Sequence, residues 1–305
     1  MNKKCLVDNR ALDSGCDKAA SFCRINDKMP ILPRDARLPI NHCNLPAVIL
    51  GSLTFQERPS ALILDGVAEL HADLFTRLDR LSLSHQRAEV FRDYITVLFR
   101  LEHPEEIGFD EHAAPREGAR KTRLKANWLR VLRGWAFDPD GREAAVLKGW
   151  VESRFGLIPR QHGGDLRDPD GDARHRYEAQ RAEGLYSTNA LESQLDLVYA
   201  YCQYEFSRAN APEHLTLYRG VNRLAAHEVL ASEGRRRIVL LNNVSSFADQ
   251  AERAGEFGDA ILAVAVPAAK VLFHCRLLPR VLQGEGEYLV LGGLYCVEQL
   301  PGGSC

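Results

Sequence analysis

Up to Pro212 the apolar positions recur mostly at helical spacing; beyond it they gather into short continuous runs. Val67, Leu70, Leu74, Leu78 and Leu81 step by three and four, as do Val90, Phe91, Tyr94, Ile95 and Leu98 behind a candidate cap at Ser84. The spacing predicts two helices, each with one face turned to a core. Leu124, Trp128, Val131, Leu132 and Trp135 predict a third, and the opposite face of that stretch, RKTRLKANWLRVLRGW, is strongly basic. A fourth runs through Leu147, Trp150, Val151 and Phe155 and ends at Gly156. The fifth follows Asn189, with Glu192 completing a capping pair and Leu191, Leu195, Val198, Cys202 and Phe206 turned inward. Then the period changes. LTLYR, RIVLLN, AILAVAV, KVLFHCR, EYLVLGG and LYCVEQL read as strands separated by Gly, Pro and charged turns.

Helices first and strands second predict an α+β fold: a helical N-terminal part followed by a mixed or antiparallel core of two sheets. Residues 1–29 are polar and aperiodic, which predicts a mobile segment; 30–184 form the mainly helical region and 185–305 the strand-bearing core. Pro30, Pro33, Pro39 and Pro46 impose an extended entry to the helical region. DPDG occurs at 138–141 and again at 168–171, where Pro after Asp and a closing Gly suit type I turns. The second copy imitates the opening of a calcium loop. Ala173 and Ala179, however, stand where the sharp-turn Gly and the bidentate Glu would be needed.

Composition narrows the function by exclusion. With 39 Lys+Arg against 41 Asp+Glu over 305 residues, the net charge of −2 gives no general field toward nucleic acid or anionic membranes. A folded partner or a small molecule suits it better. No apolar run approaches the ~20 residues of a membrane span, and the lysines at the start have no apolar signal core behind them, so a cytoplasmic protein is expected. The eight cysteines are scattered, with no CxxC pair and no His at zinc-ligand spacing. They read as reduced thiols, and no metal is implied.

In GEGEYLVLGG, Glu285 and Glu287 stand two residues apart at the start of a strand, on one face and roughly 7 Å from each other. Like charges so placed disfavour each other unless solvated or used. The segment is not a dinucleotide fingerprint, since Leu289 occupies the third Gly position and a strand follows rather than a helix. No Walker loop, zinc-protease helix or G-x-S-x-G elbow occurs. What remains is Arg219 in YRG, able to grip phosphate or to make a surface ion pair, and NNVSSFA, a polar cluster of Asn242, Asn243, Ser245 and Ser246 before Phe247 that could cap a short helix.

Arg at a first strand, Ser at a second and E-x-E at a later one resemble the Arg-Ser-Glu class of mono-ADP-ribosyltransferases. From LPINHCNLPAVILGSLTFQ to the C-terminus the chain is similar to the branch that modifies an arginine of the nitrogenase iron protein and so switches nitrogen fixation off. The resemblance implies an ADP-ribosyltransferase-like catalytic core over 185–305, NAD+ as substrate, the iron protein as protein substrate and a PII-type signal protein as a further partner. It makes Arg219, followed by Gly220, the holder of the NAD phosphates and nicotinamide-side ribose. Ser245 or its neighbour Ser246 becomes the hydroxyl that orients the catalytic carboxylate, because Phe247 stands where the class more often has a second serine. Glu287 becomes the catalytic glutamate and Glu285 the acceptor-side one; Leu277 to Gly286 form the target-recognition loop, and Phe247 packs on nicotinamide.

The chemistry fits those roles. Cleaving nicotinamide from ribose develops an oxocarbenium-like cation, which a fixed carboxylate stabilises only in the transition state. The acceptor guanidinium, with a pKa above about 12, needs a second carboxylate to orient and deprotonate it. Two rivals stay open at this level: an NAD glycohydrolase, and a silent scaffold that docks a partner through the basic helix near Trp128.

Overall fold

The computed structural model describes residues 30–101, 126–185, 190–222, 228–278 and 286–300. The N-terminal segment expected to be mobile, the basic stretch before Ala126, the Asn189 cap, Glu285 and most of the expected target loop lie outside the described residues. Helices α1 (Ala47–Leu50), α2 (Leu53–Glu57), α3 (Val67–Leu70), α4 (Ala72–Asp79), α5 (Ser84–Leu98), α6 (Trp128–Phe137), α7 (Arg142–Phe155), α8 (Asp172–Leu185) and α9 (Leu191–Arg208) precede the first strand. Strands β1 (His214–Val221), β2 (Glu228–Glu233) and β3 (Arg236–Ala248) follow. Next come a short α10 (Ala251–Ala254) and β4 (Ala260–Pro267), β5 (Val271–His274) and β6 (Glu287–Gln299). The protein is thus α+β, with an antiparallel sheet. No helix among the described residues is long and apolar enough to cross a membrane.

The helix expected through Val67 and Leu78 breaks at His71, whose dihedrals of −109° and 25° leave the helical region. Its buried ring sets Nδ1 3.0 Å from Tyr94 Oη on α5. The break frees Leu70, 74 % exposed, from the core it was expected to face, while Leu74 and Leu78 stay buried. Ser84 opens α5 without capping it; Leu83 holds the cap position and no side chain bonds there. Leu98, expected on the core face of α5, is also exposed, at 46 %, while Phe99 beside it is buried. In α6, α7 and α9 the periodicity holds. Trp128, Val131, Leu132 and Trp135 are all buried, both DPDG segments are turns, and Gly156 ends α7 at φ 70°, a left-handed value that suits glycine. α8 and β2 had no counterpart in the apolar pattern, because α8 buries little beyond Tyr177 and β2 is only half-buried.

All strand pairings among the described residues are antiparallel. β3 and β6 form the long central ladder, flanked by β2 and β5; β1 pairs with β4 along its whole length. The β1–β4 pair joins the ladder at both ends, Tyr218 beside Ala248 and Leu262 beside Gln299. The segment NNVSSFA, read as a strand end and cap, is instead the second half of β3. The strand passes through a bulge at Asn242 and Asn243, which face the single Gly292. A Cβ on Gly292 would lie 1.9 Å from the Asn242 carbonyl oxygen, so this close approach needs glycine. The bulge also ties the two halves of the chain together. Asn243 Nδ2 donates to the Lys148 and Leu157 carbonyls at 2.8 and 3.0 Å, and Asn242 Oδ1 accepts from the Arg160 N–H at 2.9 Å. One apolar cluster, from Leu32 to Val297, takes side chains from helices and strands alike.

Lys270, between β4 and β5, is wholly buried; its Nζ donates to the Gly292 carbonyl at 3.0 Å and lies 4.3 Å from the Tyr295 ring centre. Burial pulls its pKa down to about 7. The unfolded chain then holds this proton up to about pH 10 while the folded one releases it near 7, so stability should rise with pH across that window. Lys270→Met is expected to remove up to about 1.4 kcal/mol of that rise per pH unit, seen in denaturant titrations of both proteins from pH 7 to 9. Parallel pH slopes in the two proteins would rule it out.

Candidate active site

β1, β3 and β6 bring together three of the residues singled out in the sequence. Glu287 opens β6, held on both edges: it pairs with Ala248 of β3, and its carbonyl accepts from the Cys275 N–H at 3.0 Å just beyond β5. Ser246 pairs with Leu289, so Ser246 and Glu287 are diagonal neighbours on one face of the ladder. Ser246 Oγ donates to Glu287 Oε1 at 2.6 Å. Arg219, near the C-terminal end of β1, turns its Nη1 to the Ser246 carbonyl at 2.7 Å. Its Nε is buried with no partner. A guanidinium so placed has donors left for an anion, and an enclosed N–H without a partner is costly unless something else accepts from it.

Burial pushes the Glu287 carboxyl above the ordinary carboxylate range; hydrogen bonds from Ser246 and from the Trp135 indole oppose that rise. Burial also draws the Arg219 guanidinium down from its ordinary value. Trp135 is a site residue that the sequence showed only as part of a core face. It is 4 % exposed, and its Nε1 donates to Ser246 Oγ at 2.8 Å. Only its spacing was visible in the sequence, and spacing says nothing of where an indole N–H points.

Ser245 and Phe247 point the other way. Strand alternation puts both on the opposite face from Ser246, and both are 3 % exposed, Phe247 within the main apolar cluster. Gly220 serves packing: a Cβ there would come within 1.9 Å of the Ala254 carbonyl, so the glycine lets α10 lie against β1. Glu285 lies outside the described residues. β6 begins at Glu287, after Gly286 at φ 73°. Beside this turn, Asp249 bridges Arg253 at 3.3 Å and Arg276.

A half-buried, hydroxyl-braced carboxylate beside a part-spent guanidinium, on three strands of one antiparallel sheet, suits stabilisation of a cation next to a bound anion. The family model described as dinitrogenase reductase ADP-ribosyltransferase matches residues 40–299. The chain belongs to that family. It is similar to NAD(+)–dinitrogen-reductase ADP-D-ribosyltransferase of Rhodospirillum rubrum, 37 % identical over 262 residues that cover 85 % of this chain and 93 % of that protein. No solved structure matches the chain. As a member of this family the protein is an ADP-ribosyltransferase, and the Arg219, Ser246 and Glu287 constellation lies inside the matched span.

Proposed function

We propose that the protein transfers ADP-ribose from NAD+ to an arginine of dinitrogenase reductase and so switches nitrogen fixation off, with Glu287 as catalytic carboxylate. The observation that carries the assignment of roles is the 2.6 Å hydrogen bond from Ser246 to Glu287, with Arg219 joined to the same serine through its carbonyl. Arg219 holds the NAD phosphates through its unspent donors. Ser246, rather than Ser245, is the orienting hydroxyl. The bond from ribose C1′ to the nicotinamide nitrogen breaks, Glu287 stabilises the oxocarbenium-like centre, and a guanidine nitrogen of the acceptor bonds to C1′. The guanidinium proton goes to Glu285, and nicotinamide leaves.

In this reading the β1–β4 pair and the β2–β3–β6–β5 group are the two half-sheets of an ADP-ribosyltransferase core over 185–305. The helical region 30–184 braces it. The reaction belongs in the cytoplasm, where the cysteines stay reduced and a PII-type signal protein would be available as a regulatory partner.

Incubation with labelled NAD+ and dinitrogenase reductase should place label on an arginine of the target. Glu285→Gln should abolish that transfer while slow NAD+ hydrolysis persists, because the carboxylate under the cation remains. No label on the target would overturn the acceptor. Equal loss of hydrolysis and transfer in a well-folded Glu285→Gln protein would overturn the acceptor-side role of Glu285. Hydrolysis without transfer in the unaltered protein would point to a glycohydrolase.

A further inference from the structure

The Ser246–Glu287 pair has a third member. Trp135 comes from α6, in the helical region, 111 residues before Ser246, yet its indole Nε1 lies 2.8 Å from Ser246 Oγ. An indole N–H can only donate. Ser246 Oγ must therefore accept from Trp135, and its single hydroxyl proton is left to point at Glu287 Oε1, 2.6 Å away. The direction of the chain is set by its first member, and its last member receives a donor.

Several contacts hold the indole in place. Asn127 Oδ1 caps α6 by accepting from the Arg130 N–H at 2.9 Å, and the Trp128 N–H donates to Gln194 Oε1 on α9 at 3.0 Å. Gly134 permits close packing of α6 on α7, since a Cβ there would lie 2.4 Å from Glu143 Cβ. From α7, the buried Lys148 sets its Nζ 5.7 Å from the centre of a Trp135 ring. That ammonium is itself fixed by the Pro139 and Gln161 carbonyls at 2.8 and 2.9 Å and by Asp140 at 3.1 Å, and it lies 3.1 Å from His162 Nδ1. A cation against the indole face draws electron density from the ring and makes its N–H a stronger donor. The backbone carbonyl of the same Lys148 accepts from Asn243 in the β3 bulge, so helix and strand are registered three residues from Ser246.

We propose that Trp135 is a positioning residue of the transferase, acting through Ser246 to hold the Glu287 carboxylate ionised and aimed at the reacting ribose. The proposal rests on the reading of Glu287 as the catalytic carboxylate. It also gives the helical region a part in the chemistry, because the donor that orders the catalytic pair belongs to it.

Trp135→Phe keeps an aromatic ring and deletes the donor. Ser246 can then turn its proton elsewhere, which weakens the hydrogen bond that favours the charged form of the carboxyl. The acid limb of kcat/KM for NAD+ in transfer should move up by about 0.5–1 pH unit. On that limb activity should fall about 3–10-fold, the loss shrinking as the pH rises above it. The charged and titratable groups on the surrounding elements include Arg219 and Tyr218 on β1, Tyr288 on β6, Asp249, Arg253, His274, Cys275 and Arg276 about the start of β6, and Lys148 with Asp140, Glu143 and His162 about α7; all are retained in the variant. A purely structural role would lower activity by one factor at every pH.

If the Phe variant folds poorly, 3-benzothienylalanine at position 135 keeps the bicyclic shape with sulfur in place of N–H, and the same shift is expected. Coincident acid limbs in well-folded variant and parent would overturn the proposal. Glu287→Gln measured alongside separates the two levels. Its inactivity together with an unmoved Trp135→Phe limb sinks the positioning role alone, whereas near-normal activity of Glu287→Gln sinks the reading of Glu287 and the positioning role with it.

Discussion

Replacing Glu287 by Gln is expected to lower ADP-ribosyl transfer by about 10²–10³-fold, with NAD+ binding largely kept, as single-turnover assays with labelled NAD+ would show. The charge that the carboxylate offsets exists only while the nicotinamide bond is breaking, so its loss falls on kcat rather than on ground-state affinity. Gln is nearly isosteric, and its Oε1 can still accept from Ser246, so the packing of β3 on β6 should survive. Thermal melts would verify this. The parent protein should show a related effect. Because burial holds the Glu287 carboxyl above the ordinary range, protonation on the acid side produces a neutral group much as Gln does. Transfer should therefore fade at a higher pH than an ordinary glutamate would dictate, and this acid limb should vanish in the Gln variant. A Gln protein within a few-fold of the parent would remove Glu287 from the chemistry.

Arg219→Lys should weaken NAD+ binding by about 10–100-fold although the charge is kept. Arg219 spends Nη1 on the Ser246 carbonyl and still presents an enclosed Nε with no partner. A lysine ammonium can satisfy the carbonyl or the phosphate, but it has no fork with which to meet both in fixed geometry. The Ser246 carbonyl is also part of the strand whose Ser246 hydroxyl braces Glu287, so kcat should drop as well, by a smaller factor. Equilibrium binding of NAD+ would check the first effect and single-turnover rates the second. Unchanged affinity would mean that the guanidinium only braces β3.

Much of the order of secondary structure was legible in the sequence, because burial of one face leaves its period in the residues: 3.6 for α6 and α7, short apolar runs for β1 and β4. EYLVLGG and LYCVEQL, which read as two strands, are the single β6, continuous through Gly292 and Gly293. Arg219 and Glu287 could also be singled out, since their residue types and order along the chain carry the family resemblance, and the structure brings both to Ser246. Three things depended on tertiary structure. Two adjacent serines look alike in a string, but β3 turns Ser246 toward Glu287 and Ser245 away, and that parity is set by a bulge against Gly292 and by the pairing register. Leu70 fits a helical stripe, yet the break at His71, where a buried ring lies against Tyr94, leaves it in solvent. Trp135 reads as one more apolar residue, since periodicity records how deep a side chain lies and not the direction of its one polar atom. Its role appears only when the folding of α6 against the sheet brings that N–H to a serine 111 residues away. Local pattern is written by burial, and the sequence alone determined that much; the polar contacts of the site depend on long-range register and helix placement, which only the folded chain decides.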